Sequence, residues 1–516
     1  MAASSNIWQL VQSLTQQEKL FFRRDFSRST GNGHDPLYLQ VFDLLNKQQE
    51  YDESKLIQQL SPALNAKNIS YTKNYLTEQL FKALLVLHAT EDIDAGLYQQ
   101  LSLVRILRNK NLHKMALKIW QSSLKQARQY ENYAMIQLLK EEYRKLQLYY
   151  NPKATQQDLL NDYDEAIISV EEYAKLLEMQ ELHFQALLLR RKAHFRQTKE
   201  DQGTIKNMLQ QPILDAPIVN RSFLYKHYYH MTKATLHYLQ HNAESYVHAY
   251  VNIHNWQAAP DRIGYDPENY IEVLYVFYYT AVLAKDYQHV IDVMEHPANK
   301  RINGASHIAY FEAIKHLALN RIYNKLADYY KVEALVKGMK KMMLQWEQYV
   351  NEDIQRTLNL SLGIACFVLR DYDDAYHYIK NALLLFDNNS RTEHYSFAHL
   401  FLLVICFEKK DNYLFELQYK STYSYFYRHE TPLPFEKAII HALNKAYHTG
   451  NFKGLQQQFN QLSDTLKLTA NDPVQQQVFT IFNFPVWIES KLNRVPYKEW
   501  VVRKVKEGLQ ESKTAS

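Results

Sequence analysis

Residues 356–389 read RTLNLSLGIACFVLRDYDDAYHYIKNALLLFDNN. An apolar helical run, SLGIACFVLR, ends at a polar-aromatic pair, Asp371-Tyr372, and a second helical run follows at once. Two helix-period segments joined by so short a polar break predict a helix–turn–helix hairpin.

The same signature recurs outward from this stretch. Asp286-Tyr287, Asp328-Tyr329, Asp371-Tyr372, Asn412-Tyr413 and Asn451-Phe452 place their aromatic members 42, 43, 41 and 39 residues apart, and Tyr246 continues the series 41 residues upstream. Apolar runs such as YVFYYTAVLAK and LFLLVICFEKK precede the signatures, and further helical runs follow. A fixed period of this size is the mark of a solenoid. Over 93–240 the pattern is thinner, with Lys110-Asn111-Leu112 as its clearest instance and Asn161-Asp162-Tyr163 as a turn or a helix start.

Composition agrees. The 516 residues include only 11 glycines and 13 prolines, where ordinary usage would give roughly 36 and 26. Sandwiches, barrels and doubly wound sheets need many tight turns, for which glycine supplies the positive φ angles. Long helices with short connections are expected instead, an all-α chain. A 46% hydrophobic content is enough for a large core and excludes global disorder. Tyrosine is abundant, 40 residues against 23 phenylalanines; its ring can be buried while its hydroxyl reaches water, which suits a thin helical stack.

Within 356–389, Leu362, Gly363, Tyr372, Ala375, Ala382 and Leu383 fall at the spacing of a tetratricopeptide repeat, which this unit resembles. Gly363 and Ala375 are small where the two helices would approach, and Tyr372 would wedge the turn. Ala446, Gly450–Phe452, Leu455 and Phe459 look similar. Asp387 stands where that family's closing proline is expected, and the period is near 41, as in the longer-helix varieties of motor light chains and peptide-sensing regulators. The resemblance implies an α-α superhelix of roughly ten helix pairs. It also implies a non-catalytic interaction scaffold, whose concave surface binds a protein or peptide segment. The carboxylate clamp of some members is not implied, because its positions hold Leu360 and Ile364 in the best unit and Asn444 alone in the last.

Four regions are expected: an N-terminal helical domain over 1–92, degenerate helical repeats over 93–240, tetratricopeptide-like repeats over 241–480, and C-terminal capping helices over 481–516. The capping box Thr15-Gln-Gln-Glu18 opens an early helix, and SRSTGNGHDP (27–36) is the clearest loop. Val501, Val505 and Leu509 give the tail one apolar face.

Sites of chemistry are scarce. Gly31-Asn32-Gly33 lacks a third glycine and the strand–helix context of a phosphate loop. No nucleophile elbow, Cys-x-x-Cys or His-Glu-x-x-His occurs. We therefore expect no catalytic residues and no cofactor. Six histidines lie between His227 and His254. On a continuous helix His230, His237 and His241 would share a face, with Glu244 one turn on; HxxxH alone is too weak a pattern to assign a metal. Cys366 and Cys406, both in apolar runs, offer no disulfide framework, so a reducing, cytoplasmic location is expected. No secretory signal pattern opens the sequence, and the apolar stretch Val273 to Ala284 is too short for a bilayer, which needs about 20 residues.

Net charge is only +5, from 60 basic and 55 acidic residues, but the charges are segregated. Ala95 to Tyr130 has seven basic residues and no acid; Leu182 to Lys199 is also acid-free; Asp158 to Glu181 carries eight acids against Lys175. Lys114, Lys118, Lys125 and Arg128 fall on one helix face. Hairpins of opposite sign pairing with one another is the simplest account. A groove for an acidic peptide is the functional account, and nucleic acid is less favoured because acidic helices interrupt the basic surface. Lys114, Lys118, Arg190, Tyr225, Tyr228 and His237 are the expected partner contacts. A ligand-responsive regulator and a helical-repeat nucleic-acid binder using 95–130 and 182–199 stand as alternatives.

Overall fold

The computed structural model describes residues 6–26, 35–88, 92–151, 153, 155–192, 198–346, 349–386, 393–429, 432–449, 452–469 and 472–514. Among them the regular structure is helical throughout, so the chain is all-α. Two compact units divide it, Met1–Tyr173 and Ala174–Ser516. That division falls inside a helix, Gln156–Lys192.

The first unit begins with α1 (Asn6–Ser13), α2 (Gln16–Phe26), α3 (Leu37–Lys47), α4 (Glu53–Leu60) and α5 (Ile69–His88). These share one core, running from Ile7 to Ala83, with Phe22 on Phe42 at 5.0 Å between ring centroids. Thr15 and Glu18 form the capping box of α2: the Glu18 carboxylate accepts from the Thr15 N–H at 2.6 Å. Next come α6 (Ile93–Asn109), α7 (His113–Gln129), α8 (Tyr133–Tyr150) and α9 (Gln156–Lys192), the last continuing into the second unit.

Here the segregated charges meet. Lys140, 2% exposed, donates to Asp162 at 2.9 Å and Glu165 at 3.1 Å; Arg144 also donates to Asp162, at 2.9 Å. Arg105 reaches the buried Glu142 at 2.9 Å, and Arg128 reaches Glu165 at 2.7 Å. The acids of α9 therefore pair with Arg128 of α7 and with Lys140 and Arg144 of α8, as opposite-sign hairpins should.

In the second unit, α10 (Lys199–Leu209) and α11 (Pro212–Asp215) lead to a run of hairpins. Their first helices are α12 (Phe223–Leu239), α15 (Pro267–Leu283), α17 (Ala305–Lys325), α19 (Glu352–Val368), α21 (Glu393–Lys409) and α23 (Pro434–Thr449). Their second helices are α13 (Glu244–Gln257), α16 (Tyr287–Met294), α18 (Tyr329–Trp346), α20 (Tyr372–Leu384), α22 (Asn412–His429) and α24 (Phe452–Leu468), with the short α14 (Pro260–Tyr265) after α13. Successive first helices touch one another from α12 through α15 and α17 to α19, and again from α21 to α23; Phe367 on Phe401 at 5.1 Å joins α19 to α21. The unit is a solenoid of stacked hairpins with a continuous first-helix layer.

Among the described residues, five hairpin turns of the second unit are made without glycine. His241, Lys285, Ala327, Arg370 and Lys410 each adopt φ between 56° and 68°. Around them the amides of Asn242, Asp286, Asp328 and Asp371 bond back to the carbonyls of His237, Ala281, Tyr323 and Cys366 at 2.9 Å, the Schellman pattern. An L residue in this region is strained by about 1–2 kcal/mol, a cost offset by satisfied helix-end carbonyls. In some of these turns the residue after the strained one caps the next helix: Asp371 accepts from the Asp374 amide and Asp411 from the Leu414 amide at 2.9 Å. At Asp286-Tyr287 and Asp371-Tyr372 the polar-aromatic signature is thus the N-cap position and first residue of a second helix, whereas Asn412 is already the first residue of its helix, after Asp411. Gly450, Asn451 and Asp387 lie outside the described residues.

Neighbouring hairpins are tied at matching positions. Asn269 donates to the Tyr228 hydroxyl (3.3 Å), Asn320 to the Ser361 hydroxyl (2.7 Å) and the Asn351 amide to the Tyr310 hydroxyl (3.0 Å), each pair 41 residues apart.

The last helices, α25 (Pro473–Ile481), α26 (Phe484–Leu492) and α27 (Tyr497–Thr514), depart from simple capping. Rather than only closing the end of the stack, they reach back across its first-helix layer. Phe482 meets Phe367 at 5.3 Å and Phe401 at 4.7 Å; Trp487 donates to Glu408 at 2.7 Å; Lys498 lies 5.5 Å above the Tyr329 ring. Arg321 donates to the Thr480 hydroxyl at 3.0 Å.

Candidate binding face

Tyrosines on α12 and α15 converge near one end of the first-helix layer. Tyr279 packs on Tyr238 at 4.5 Å and on Tyr275 at 5.5 Å, and Tyr275 on Tyr278 at 6.4 Å. Positions 275, 278 and 279 lie one turn apart, so one face of α15 carries all three rings.

Cations from two further helices border these rings. Arg190, near the end of α9, donates to the Tyr279 hydroxyl at 2.6 Å, its guanidinium 5.5 Å from that ring and 5.9 Å from Tyr275. Arg321 of α17 lies 6.0 Å from the Tyr278 ring. Tyr238 and Tyr275 each feel the charge of both arginines. One turn beyond Arg321, burial and the Arg321 charge push the Lys325 ammonium down to about 8. Among the described residues, none of the three cations has a carboxylate at ion-pair distance. The nearest acids are otherwise engaged: Glu272 stands 3.8 Å from His183 and Asp353 accepts from Arg356 at 2.6 Å. Arg190, Arg321 and Lys325 are each half-buried.

Of the residues expected from sequence, Arg190 belongs to this tyrosine cluster. Tyr225 and Tyr228 are 3% and 8% exposed and pack as core; Arg221 covers the Tyr225 ring at 5.4 Å, and the Tyr228 hydroxyl accepts from Asn269. Neither ring offers a free contact surface. His237 is half-buried, stacked on His248 at 5.9 Å. Lys114 and Lys118 are exposed on α7 of the other unit, with no acid at ion-pair distance among the described residues. The six residues therefore do not form one constellation.

The histidine-rich region is not one ligand face. α12 ends at Leu239 and His241 occupies the left-handed turn, so the HxxxH pair His237/His241 is not on a helix. Instead His230 and His248 approach with their Nδ1 atoms 3.1 Å apart, and Trp256 donates to His227 Nδ1 at 3.1 Å. Burial pushes His230 down to about 4 and His227 and His248 down to about 3. Cys366, Asp371 and Asp374 gather within metal-ligand range, but the Lys340 ammonium bonds Asp374 there and lies 3.9 Å from Asp371. Cys366 and Cys406 are buried free thiols, both pushed up to about 12 by burial. No helix among the described residues is long and apolar enough to cross a membrane.

Sequence reasoning missed Arg321, Lys325 and the tyrosines of α15. The available signal was the pair of cations, four apart, inside the otherwise apolar pattern HLALNRIYNK.

No family model matches this chain, and no curated protein matches it. Among solved structures, the chain is similar to a signal-transduction ATPase with numerous domains carrying a tetratricopeptide repeat sensor, from Pyrococcus horikoshii. Identity is 14%, the TM-score is 0.36, and the match covers 85% of this chain and 66% of that one. At that TM-score the likeness carries no argument for fold or function.

Proposed function

We propose that this chain is a non-catalytic interaction scaffold that binds a protein or peptide segment along the first-helix layer of its second unit. In this reading the hairpins are tetratricopeptide-like repeats with a period near 41 residues. The observation that carries the reading is the docking of α25–α27: the same layer already packs around a stretch of helical chain, through Phe482, Trp487 and Tyr497. Stacked hairpins hold such a surface rigid before binding, which lowers the entropy lost on association. The uncovered part, around Tyr275 and Tyr238, offers large amphipathic rings of the kind enriched at interface anchors.

The test is site-specific photo-crosslinking in lysate of the chain's own host, with and without nuclease. One crosslinker replaces half-buried Tyr275 on α15 and another replaces exposed Lys337 on α18. A protein captured near-stoichiometrically from position 275 but not 337, surviving nuclease, is the expected result. Capture of nucleic acid, lost with nuclease, would overturn the scaffold reading in favour of the basic runs.

A further inference from the structure

We propose that the outer face of α9 is a docking seam for a basic amphipathic helix of a partner protein, paired with it as a coiled coil. This goes beyond the scaffold reading, which concerns the first-helix layer and none of these residues.

Spacing defines the seam. Leu160, Tyr163, Ile167 and Val170 follow one another at intervals of three, four and three residues. Continued along the same unbroken helix, the alternation lands on Ala174, Leu177, Glu181, Phe184 and Leu188. All but Glu181 are apolar or aromatic, over about 42 Å of helix. Threes and fours alternating for about four heptads are the pattern of a coiled-coil strand. The packing of α9 on its own chain is carried by other positions, Ala166, Leu176, Met179, Leu182 and Ala186 among them, which are buried. The seven large apolar side chains of the seam are instead 46–63% exposed. Arg144 covers one face of the Tyr163 ring at 4.6 Å, and that ring still stays half exposed. Contiguous exposed apolar surface on this scale marks an interaction site.

Charge selects the occupant. Asp164, Glu171 and Glu178 stand seven residues apart along one flank of the seam, exposed and without an ion pair among the described residues. Glu181 is the one charge within the seam itself. A second copy of α9 fits badly. Parallel pairing would set Glu181 against its own image, and antiparallel pairing would set the two acidic rows against each other. A helix with lysine or arginine beside its apolar stripe meets the row with opposite charge, and a cation facing Glu181 fixes the register.

The experiment is fluorescence anisotropy with the full chain and two synthetic helices of about four heptads. Both carry isoleucine and leucine along the seam; one has lysine at the flanking positions and the other glutamate. The expected result is saturable binding of the lysine helix and none of the glutamate helix. Ile167→Ser/Leu177→Ser should weaken the lysine helix at least about tenfold, the loss of two apolar anchors. Glu171→Lys/Glu178→Lys should move the preference toward the glutamate helix. Should the serine variant lose its helical circular dichroism, the charge reversal decides alone, because Glu171 and Glu178 are exposed. No saturable binding of the lysine helix, equal binding of both helices, indifference to a folded serine variant, or a preference untouched by charge reversal would each overturn the proposal. So would a concentration-dependent dimer of the free chain, seen by sedimentation and abolished in the serine variant, which would give the seam to a second copy. A failed crosslink at Tyr275 would sink the scaffold reading and leave this result untouched.

Discussion

Gly363 of α19 faces Ile379 of α20 so closely that a methyl group on Gly363 would stand 2.5 Å from Ile379 Cγ1 and Cδ1, and 3.3 Å from the Ala375 carbonyl oxygen. The two helices of this hairpin cross where neither has room for another carbon. Gly363→Ala should therefore destabilise the second unit by about 1–3 kcal/mol, the range for overpacking a close contact. Adding Ile379→Val should restore part of the loss. Thermal unfolding of the single and double variants measures this; equal midpoints for Gly363→Ala and the parent would refute it.

Lys140 is the most deeply buried of the cations paired in the first unit. Replacing it with methionine leaves Asp162 with only Arg144 at bonding distance. A loss of about 3 kcal/mol is expected, at the low end for a broken buried pair because that one partner remains. Hydrogen exchange of the α8 and α9 amides reads it locally, and Lys140→Met/Asp162→Leu should recover part of the protection.

Acid should unfold the second unit earlier than its carboxylates alone would require. His227, His230, His248 and His399 are held by burial at about 3 to 4, against 6.5 for an exposed imidazole. Below pH 6.5 the unfolded chain takes up protons that the native chain refuses, so stability falls as pH drops toward 4. Above 6.5 these groups contribute no slope. His248→Phe should flatten the fall. Helical circular dichroism across denaturant at several pH values tests this, and a parent curve level from pH 7 to 4.5 would contradict it.

Lys325 predicts a slope of the same sign, stability rising with pH, on the alkaline side. Its native value is about 8, against 10.5 in the unfolded chain. Below pH 8 both states are protonated and the desolvation penalty is fully present; between 8 and 10.5 the native state loses its proton first, and stability rises. Lys325→Met should thus be more stable than the parent at pH 7, with the advantage shrinking as pH climbs past 8. Paired melts at pH 7 and 9.5 decide it.

Much of the fold was legible because its signals are local. Asp371-Tyr372 announces a hairpin since an N-cap and an apolar period both act within a few residues, and Gly363 with Ala375 marks the close approach. The strained turn residues were not legible: glycine scarcity suggested few turns, whereas Lys285 and Arg370 turn the chain with full side chains. Nor could tyrosine placement be read. Tyr225 and Tyr275 are alike in sequence context, yet one is core and the other half-buried, because an amphipathic ring tolerates both. His241 looked like one of a helical pair only until the helix was seen to stop at Leu239.

The contact between Thr480 and Arg321 spans 159 residues, while each hairpin closes on its near neighbours. On the ribosome, chain emerges at about 5–20 residues per second, so roughly 10–30 s separate the two partners. Phe367 and Phe401, made 115 and 81 residues before Phe482, wait a shorter time without the ring that later covers them. Birth order therefore makes the nascent solenoid stickier than the finished one, and a chaperone that engages exposed aromatic rings would find its window between the completion of α21 and the arrival of α25.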